Sequence, residues 1–233
     1  MPSSAKTLFF ILSAGITALA VGFMGWGMST GWARTTMECT SGGSSFFNGT
    51  AMITLRLFGG ILSRSFCPSF GQKDLDFQVV PKLIEMGSDV PVALHALVLC
   101  LLALCLLFSA CSILISLYNA VSNPYETYMG PMGIYVCSSL STFMSVVVLA
   151  IFAVNVNVTN MAEGLVESFS EGFEVGLRNK SSELLLGYYL VIPYTGLSLC
   201  AIVVIYFYEH AAYKQRREQQ RPTEDAPKEI MMY

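Results

Sequence analysis

Few side chains in this sequence have the type and spacing for catalysis. Its two histidines, His95 and His210, lie far apart in unlike surroundings, alongside 13 Lys or Arg and 16 Asp or Glu in 233 residues. Acid–base catalysis needs titratable groups that converge within hydrogen-bond reach of a reacting atom, and this pattern supplies no such set. We therefore expect no enzyme, no cofactor or metal site and no small-molecule substrate. The formal charge of -3 leaves no basic excess to neutralise a phosphate backbone, so nucleic acid is excluded as a partner.

Covalent modification is better represented. The chain has seven cysteines, in two groups. Cys100, Cys105, Cys111, Cys137 and Cys200 sit in long apolar runs without Cys-x-x-Cys spacing or a His partner, and read as small packing residues. Cys111 and Cys137 lie nearest the face we assign to the cytosol, within reach of palmitoylation. Cys39 and Cys67 lie outside the runs, in a segment we assign to an oxidising compartment, where pairing is expected. Three glycosylation sequons occur, Asn48-Gly49-Thr50, Asn157-Val158-Thr159 and Asn179-Lys180-Ser181. Asn48, in a polar stretch, is the best acceptor and Asn179 the second. Asn157 abuts an apolar run, where the membrane would obstruct the transferase.

The elements that position these groups follow from where charge is missing. Apolar residues make up 54% of the chain and charged ones 12%, about half the share in a soluble domain. Residues 7–33, 90–125, 127–162 and 184–208 contain no Asp, Glu, Lys or Arg. Each interval exceeds the roughly 20 residues a helix needs to cross hydrocarbon, where only a helix or closed barrel can satisfy its backbone. The fold class predicted is an all-α, four-helix transmembrane bundle forming one domain, with spans at about 8–28, 92–117, 134–154 and 184–208. Ala18-Leu19-Ala20 resembles a signal-peptidase site, but apolar character continues to Met28, which favours an uncleaved span.

An even number of spans puts both termini on one side. Lys214, Arg216, Arg217 and Arg221 follow the fourth span, and such clusters remain cytosolic by the positive-inside rule, where they would contact anionic lipid. The loops at about 30–90 and 155–183 are then external, and the tail, 209–233, is cytosolic. Thr35–Thr40, Ala51–Phe58 and Ile61–Phe66, broken by Gly42-Gly43 and Gly59-Gly60, predict a small antiparallel sheet in the first loop, stapled by the disulfide. Met161, Leu165, Phe169 and Phe173 recur at about four residues, with Glu163, Glu167, Glu171 and Glu174 on another face, which predicts that the third helix continues beyond the membrane. Ala14, Ala18 and Gly22 form a small-residue face suited to close helix packing, within the bundle or against another protein. His95, the only strongly polar ionisable side chain in a span, sits near the external end, and one such group makes no ion pathway.

A large first external loop, short hairpin, smaller second loop and basic tail form the layout of claudin-like four-span proteins. Trp32, Leu57-Phe58-Gly59-Gly60 and the Cys39 and Cys67 positions resemble a diverged form of their loop signature. The sharper resemblance is to the clarin family. It lies in Asn123-Pro124-Tyr125-Glu126-Thr127 followed by Gly130-Pro131-Met132-Gly133-Ile134-Tyr135, between spans two and three. Pro124 would stop one helix, and Gly130, Pro131 and Gly133 would turn the chain into the next. The tail most resembles that of the third vertebrate member. This resemblance implies a plasma-membrane glycoprotein that scaffolds membrane proteins or adhesion in sensory cells, with Asn48 at the family's first-loop sequon. An auxiliary subunit of a channel or transporter complex is the alternative. The apolar terminus, Ile230 to Tyr233, is a candidate ligand for a PDZ-type groove through strand addition.

Overall fold

The computed structural model of the protein describes residues 3–41, 49–65, 74–87, 89–121, 130–169 and 175–219. Among these residues, four helical segments are long and apolar enough to cross a membrane: Ser4–Ser29, Asp89–Val121, Pro131–Asn157 and Leu186–Lys214. In full, α1 is Ser3–Ser29, α2 Val79–Glu85, α3 Asp89–Val121, α4 Pro131–Asn157, α5 Met161–Ser168, α6 Leu186–Tyr189 and α7 Val191–Gln219. Charge-free intervals therefore locate the spans but understate the helices. α7 runs eleven residues past Tyr208, because Glu209 to Gln219 are good helix formers once they leave hydrocarbon.

The buried faces of these helices repeat every three or four residues. Along α3 the series is Pro91, His95, Val98, Leu102, Cys105, Ser109, Ser112, Ser116 and Asn119, and along α4 it is Ile134, Ser138, Ser141, Ser145, Val148, Phe152 and Asn155. This spacing is the seam of left-handed helix packing, in which small residues let backbones approach closely. On α1 the inward residues are Phe10, Ser13, Ala14, Thr17, Ala20 and Met24, whereas Ala18 and Gly22 are exposed. The small-residue repeat expected from Ala14, Ala18 and Gly22 is thus split between two faces.

Outside the helices, the described residues form a five-stranded antiparallel sheet in the order β4-β3-β2-β1-β5. Its strands are β1 Ala33–Ser41, β2 Gly49–Leu55, β3 Gly59–Ser65, β4 Asp74–Gln78 and β5 Val175–Leu184. Ala33, Thr35, Met37 and Cys39 alternate inward with Ala51, Ile53 and Leu55 opposite them, a period-two pattern that buries one face. Strands β1 to β3 fulfil the expectation for the first loop. The sheet is not confined to that loop, however, because β5 from the second loop pairs with β1 from Ala33↔Leu184 to Ser41↔Val175. A register shift lies between Thr36 and Glu38, and Asn179 takes φ 54° on the facing strand, a left-handed conformation that Asn tolerates.

Two further expectations are corrected. α4 does not continue through the second loop: it ends at Asn157, where the Thr159 hydroxyl bonds the Asn155 carbonyl, and α5 starts afresh at Met161. That hydroxyl competes for a carbonyl at the helix end. The fourth span does not begin at Leu184, which ends β5. The chain instead enters the bundle through α6 and α7.

Candidate functional site

The most tightly built region is the seat of the sheet on the bundle. Trp32, fully buried between α1 and β1, donates its indole N–H to the Gly27 carbonyl at 2.8 Å. Its ring meets Phe152 edge-on at 4.9 Å and Tyr188 at 6.5 Å. Backbone bonds lock the same spot: Trp32 N–H to the Leu55 carbonyl at 2.8 Å, Leu185 N–H to the Trp32 carbonyl at 2.9 Å and Gly187 N–H to the Gly31 carbonyl at 2.9 Å. Gly187 is required there. A Cβ would stand 2.5 Å from Trp32 Cδ1 and 2.8 Å from the Gly27 and Gly31 oxygens.

His95 makes the second tie. Its Nε2 lies 2.8 Å from the Leu57 carbonyl in the β2–β3 turn, so Nε2 carries the proton, and the buried Nδ1 has no partner among the described residues. The residue is a strut between the turn and α3. At the margin, Arg64 donates to the Phe169 carbonyl at 3.2 Å, Lys82 Nζ stands 4.5 Å above the Phe169 ring, and Lys180 donates to the Thr159 carbonyl at 3.2 Å. Elements of both loops are thereby joined. A cleft of about 900 Å³ beside α5 is lined by Glu85, Asn160, Glu163 and Glu167, which places two of the four acids expected on one face at its wall.

Deeper in the bundle a hydroxyl seam joins α3, α4 and α7. The Tyr194 hydroxyl meets Ser109 at 2.8 Å, also bonds Ser141, and donates to the Cys105 carbonyl at 3.1 Å. Ser112 pairs with Ser138 at 3.1 Å and Ser145 with Thr195 at 2.8 Å. These groups satisfy one another, as buried hydroxyls in hydrocarbon must. The sequence reading missed this seam, although serines spaced three and four apart on both α3 and α4 are its signal.

The chain as a whole is similar to a known group. A family profile described as Clarin-2-like matches residues 5–184. The chain belongs to the clarin family. It is 30% identical to Clarin-3 of Mus musculus over the full length of both chains, and 26% identical to Clarin-3 of Homo sapiens over the whole of each. Against Clarin-1 of Homo sapiens it is 26% identical over 74% of this chain and 75% of that one. Four apolar helices together with clarin membership make it a multi-pass membrane protein.

Within this clarin the expected site residues are dispersed. In the hairpin motif, Gly130 caps α4 with Pro131 at its first position, where a missing N–H costs nothing, and Gly133 N–H bonds the Gly130 carbonyl at 3.1 Å. Asn123 and Pro124 lie outside the described residues, as do Asn48, Cys67, Arg221, Glu171, Phe173, Glu174 and the end from Ile230 to Tyr233. Cys39 is buried at β1, facing Gly49 and Leu177. Asn179 is exposed on β5, its Nδ2 donating to Glu38 Oε2 at 2.7 Å. Asn157 ends α4 and is exposed. Lys214 and Arg217 are exposed on α7, which also carries Arg216. Cys111 and Cys137 are half-buried free thiols. No group of three His, Cys, Asp or Glu stands close enough to hold a metal among the described residues.

Proposed function

We propose that this clarin organises partner membrane proteins, or adhesion between membranes, by presenting a rigid sheet on one side of the bilayer and a basic helix end and tail on the other, with no catalysis of its own. The observation that carries the reading is the two-loop sheet seated on Trp32 and His95, which holds Arg34, Met52 and Arg178 outward in a fixed array. A preordered surface binds at lower entropic cost than a mobile loop.

In this reading the sheet is external and both termini are cytosolic at the plasma membrane, since Lys214 and Arg217 follow the last apolar stretch. Glycan is carried by Asn48, with Asn179 as second acceptor. Cys39 pairs with Cys67. In support, Cys39 is buried at the sheet, and the thiols of Cys100, Cys105, Cys111, Cys137 and Cys200 are free. Lys214, Arg216, Arg217 and Arg221 contact anionic lipid, and the last residues offer a strand to a PDZ-type groove. A role in sensory membranes rests on family resemblance alone.

The test is proximity labelling from the C-terminus in native cells, comparing wild type with Arg34→Glu/Arg178→Glu at equal surface level. The reading expects the double variant to lose labelled membrane partners, and an unchanged set would remove the sheet from the account. Purified protein in liposomes should conduct no ions, and flux from the chain alone would favour a pore.

A further inference from the structure

At the end of the bundle away from the sheet, α1, α3, α4 and α7 leave a cavity of about 580 Å³. Lys6 and Glu209 both line it, together with Phe10, Asn119, Pro131 and Tyr213. Lys6 is the last charged residue before the charge-free interval 7–33, and Glu209 the first after 184–208. Both charges therefore stand at the depth where hydrocarbon gives way to headgroups. Leu8, Val203 and Phe207, on the same ends of α1 and α7, are exposed apolar surface against which acyl chains can lie.

We propose that this cavity holds the headgroup of a primary-amine phospholipid, its phosphate on the Lys6 ammonium and its amine on the Glu209 carboxylate. One cation and one anion on a single lining match a zwitterion, whereas a purely anionic headgroup would meet Glu209 unfavourably. Tyr135 O–H donates to Glu209 Oε2 at 3.0 Å, which orients the carboxylate and leaves Oε1 to accept from an ammonium N–H. Four of the lining rings pair with one another, while Tyr213 is exposed. Tyr206 stacks on His210 at 6.3 Å and Phe10 packs edge-on to Tyr208 at 5.1 Å. Selection rests on the Glu209 carboxylate, which accepts N–H bonds that a quaternary amine cannot donate. The proposal requires these helices to span a membrane but is independent of the scaffolding role and of which leaflet the cavity faces.

Native mass spectrometry of the purified full chain, titrated with phosphatidylethanolamine, phosphatidylcholine and phosphatidylglycerol of matched acyl chains, tests it. Phosphatidylethanolamine should be retained about tenfold more tightly than either of the others, the scale of one charge-assisted hydrogen bond. Glu209→Gln should abolish that preference while strengthening phosphatidylglycerol binding, a split that misfolding would not produce. Lys6→Gln should weaken all three. Free phosphoethanolamine at equal concentration should not compete, and effective competition would assign the site to soluble phosphate esters instead. Equal retention of the three lipids, or an unaltered preference in Glu209→Gln, would overturn the proposal. So would phosphatidylethanolamine binding that emerges only on deleting residues 220–233, since the tail would then be the occupant.

Discussion

The two ends of the bundle are built differently. At the sheet end, Trp32, Phe152, Val191 and Tyr194 belong to one continuous buried core that reaches from α3 into β1, β2 and β3. At the other end the buried apolar cluster is Phe10, Ala120, Ile134 and Ile205, beside an open cavity. One end is fixed by backbone hydrogen bonds and a close glycine contact, the other by a few side chains. The difference teaches where rigidity is concentrated: in the sheet and its seat, while the end carrying both termini keeps room for lipid or partner.

Substitutions should separate the two ends by magnitude. The largest effect is expected from Gly187→Val at the seat. Its Cβ would collide with Trp32 Cδ1 at 2.5 Å and with two backbone oxygens at 2.8 Å, atoms that cannot rotate away. Overpacking of this kind costs about 3 kcal/mol, the upper part of its usual range. Thermal unfolding in micelles should show a marked loss or failure to fold, and a near-native midpoint would mean the seat is looser than drawn. His95→Leu should cost about 2 kcal/mol, because the buried Leu57 carbonyl is left without its donor at 2.8 Å. Amide exchange should then rise first in the β2–β3 turn. Exchange that rises uniformly would deny His95 its role as a strut.

Tyr194→Phe probes the hydroxyl seam, where Ser109, Ser141 and the Cys105 carbonyl lose their shared partner. Hydrogen bonds between membrane helices contribute only about 0.6 kcal/mol on average, up to roughly 1.7. Steric-trap or denaturant unfolding should place the variant near 1 kcal/mol below wild type. A loss comparable to Gly187→Val would shift the centre of stability from the seat to the seam. Gly22→Ala should show the smallest effect, within about 0.5 kcal/mol, since nothing lies within 4 Å of the added methyl on that exposed face. A larger loss would reveal a helix partner against α1.

Much of the bundle was legible because charge is expensive in hydrocarbon, and its absence marks every span. Which face of each helix turns inward was not legible. In a membrane the outward side is apolar too, so Ser109, Ser112, Ser138 and Ser141 mark the interior by small size and hydrogen bonding rather than by hydrophobicity. Strands β1 to β3 could be read from alternating Thr, Ile and Phe between glycines. Strand β5 could not. Its sequence, Val-Gly-Leu-Arg-Asn-Lys-Ser-Ser-Glu-Leu, is polar and carries Asn179 at a left-handed position, so it becomes a strand only by pairing with β1. Trp32 was visible as a signature residue, but its plug geometry depends on Gly187, which approaches it from a segment far away in the chain.

The central claim is that the two loops form a single sheet through β1 and β5. Thr35 and Ser182 face one another across that pairing, their hydroxyls 3.0 Å apart. The most direct measurement replaces both by cysteine, with a protease site inserted between residues 122 and 129 so that β1 and β5 fall on separate fragments. The account predicts that mild oxidation links the fragments, that reductant releases them, and that either single variant with the same inserted site leaves them separate. Fragments that part without reductant in the double variant would contradict the shared sheet.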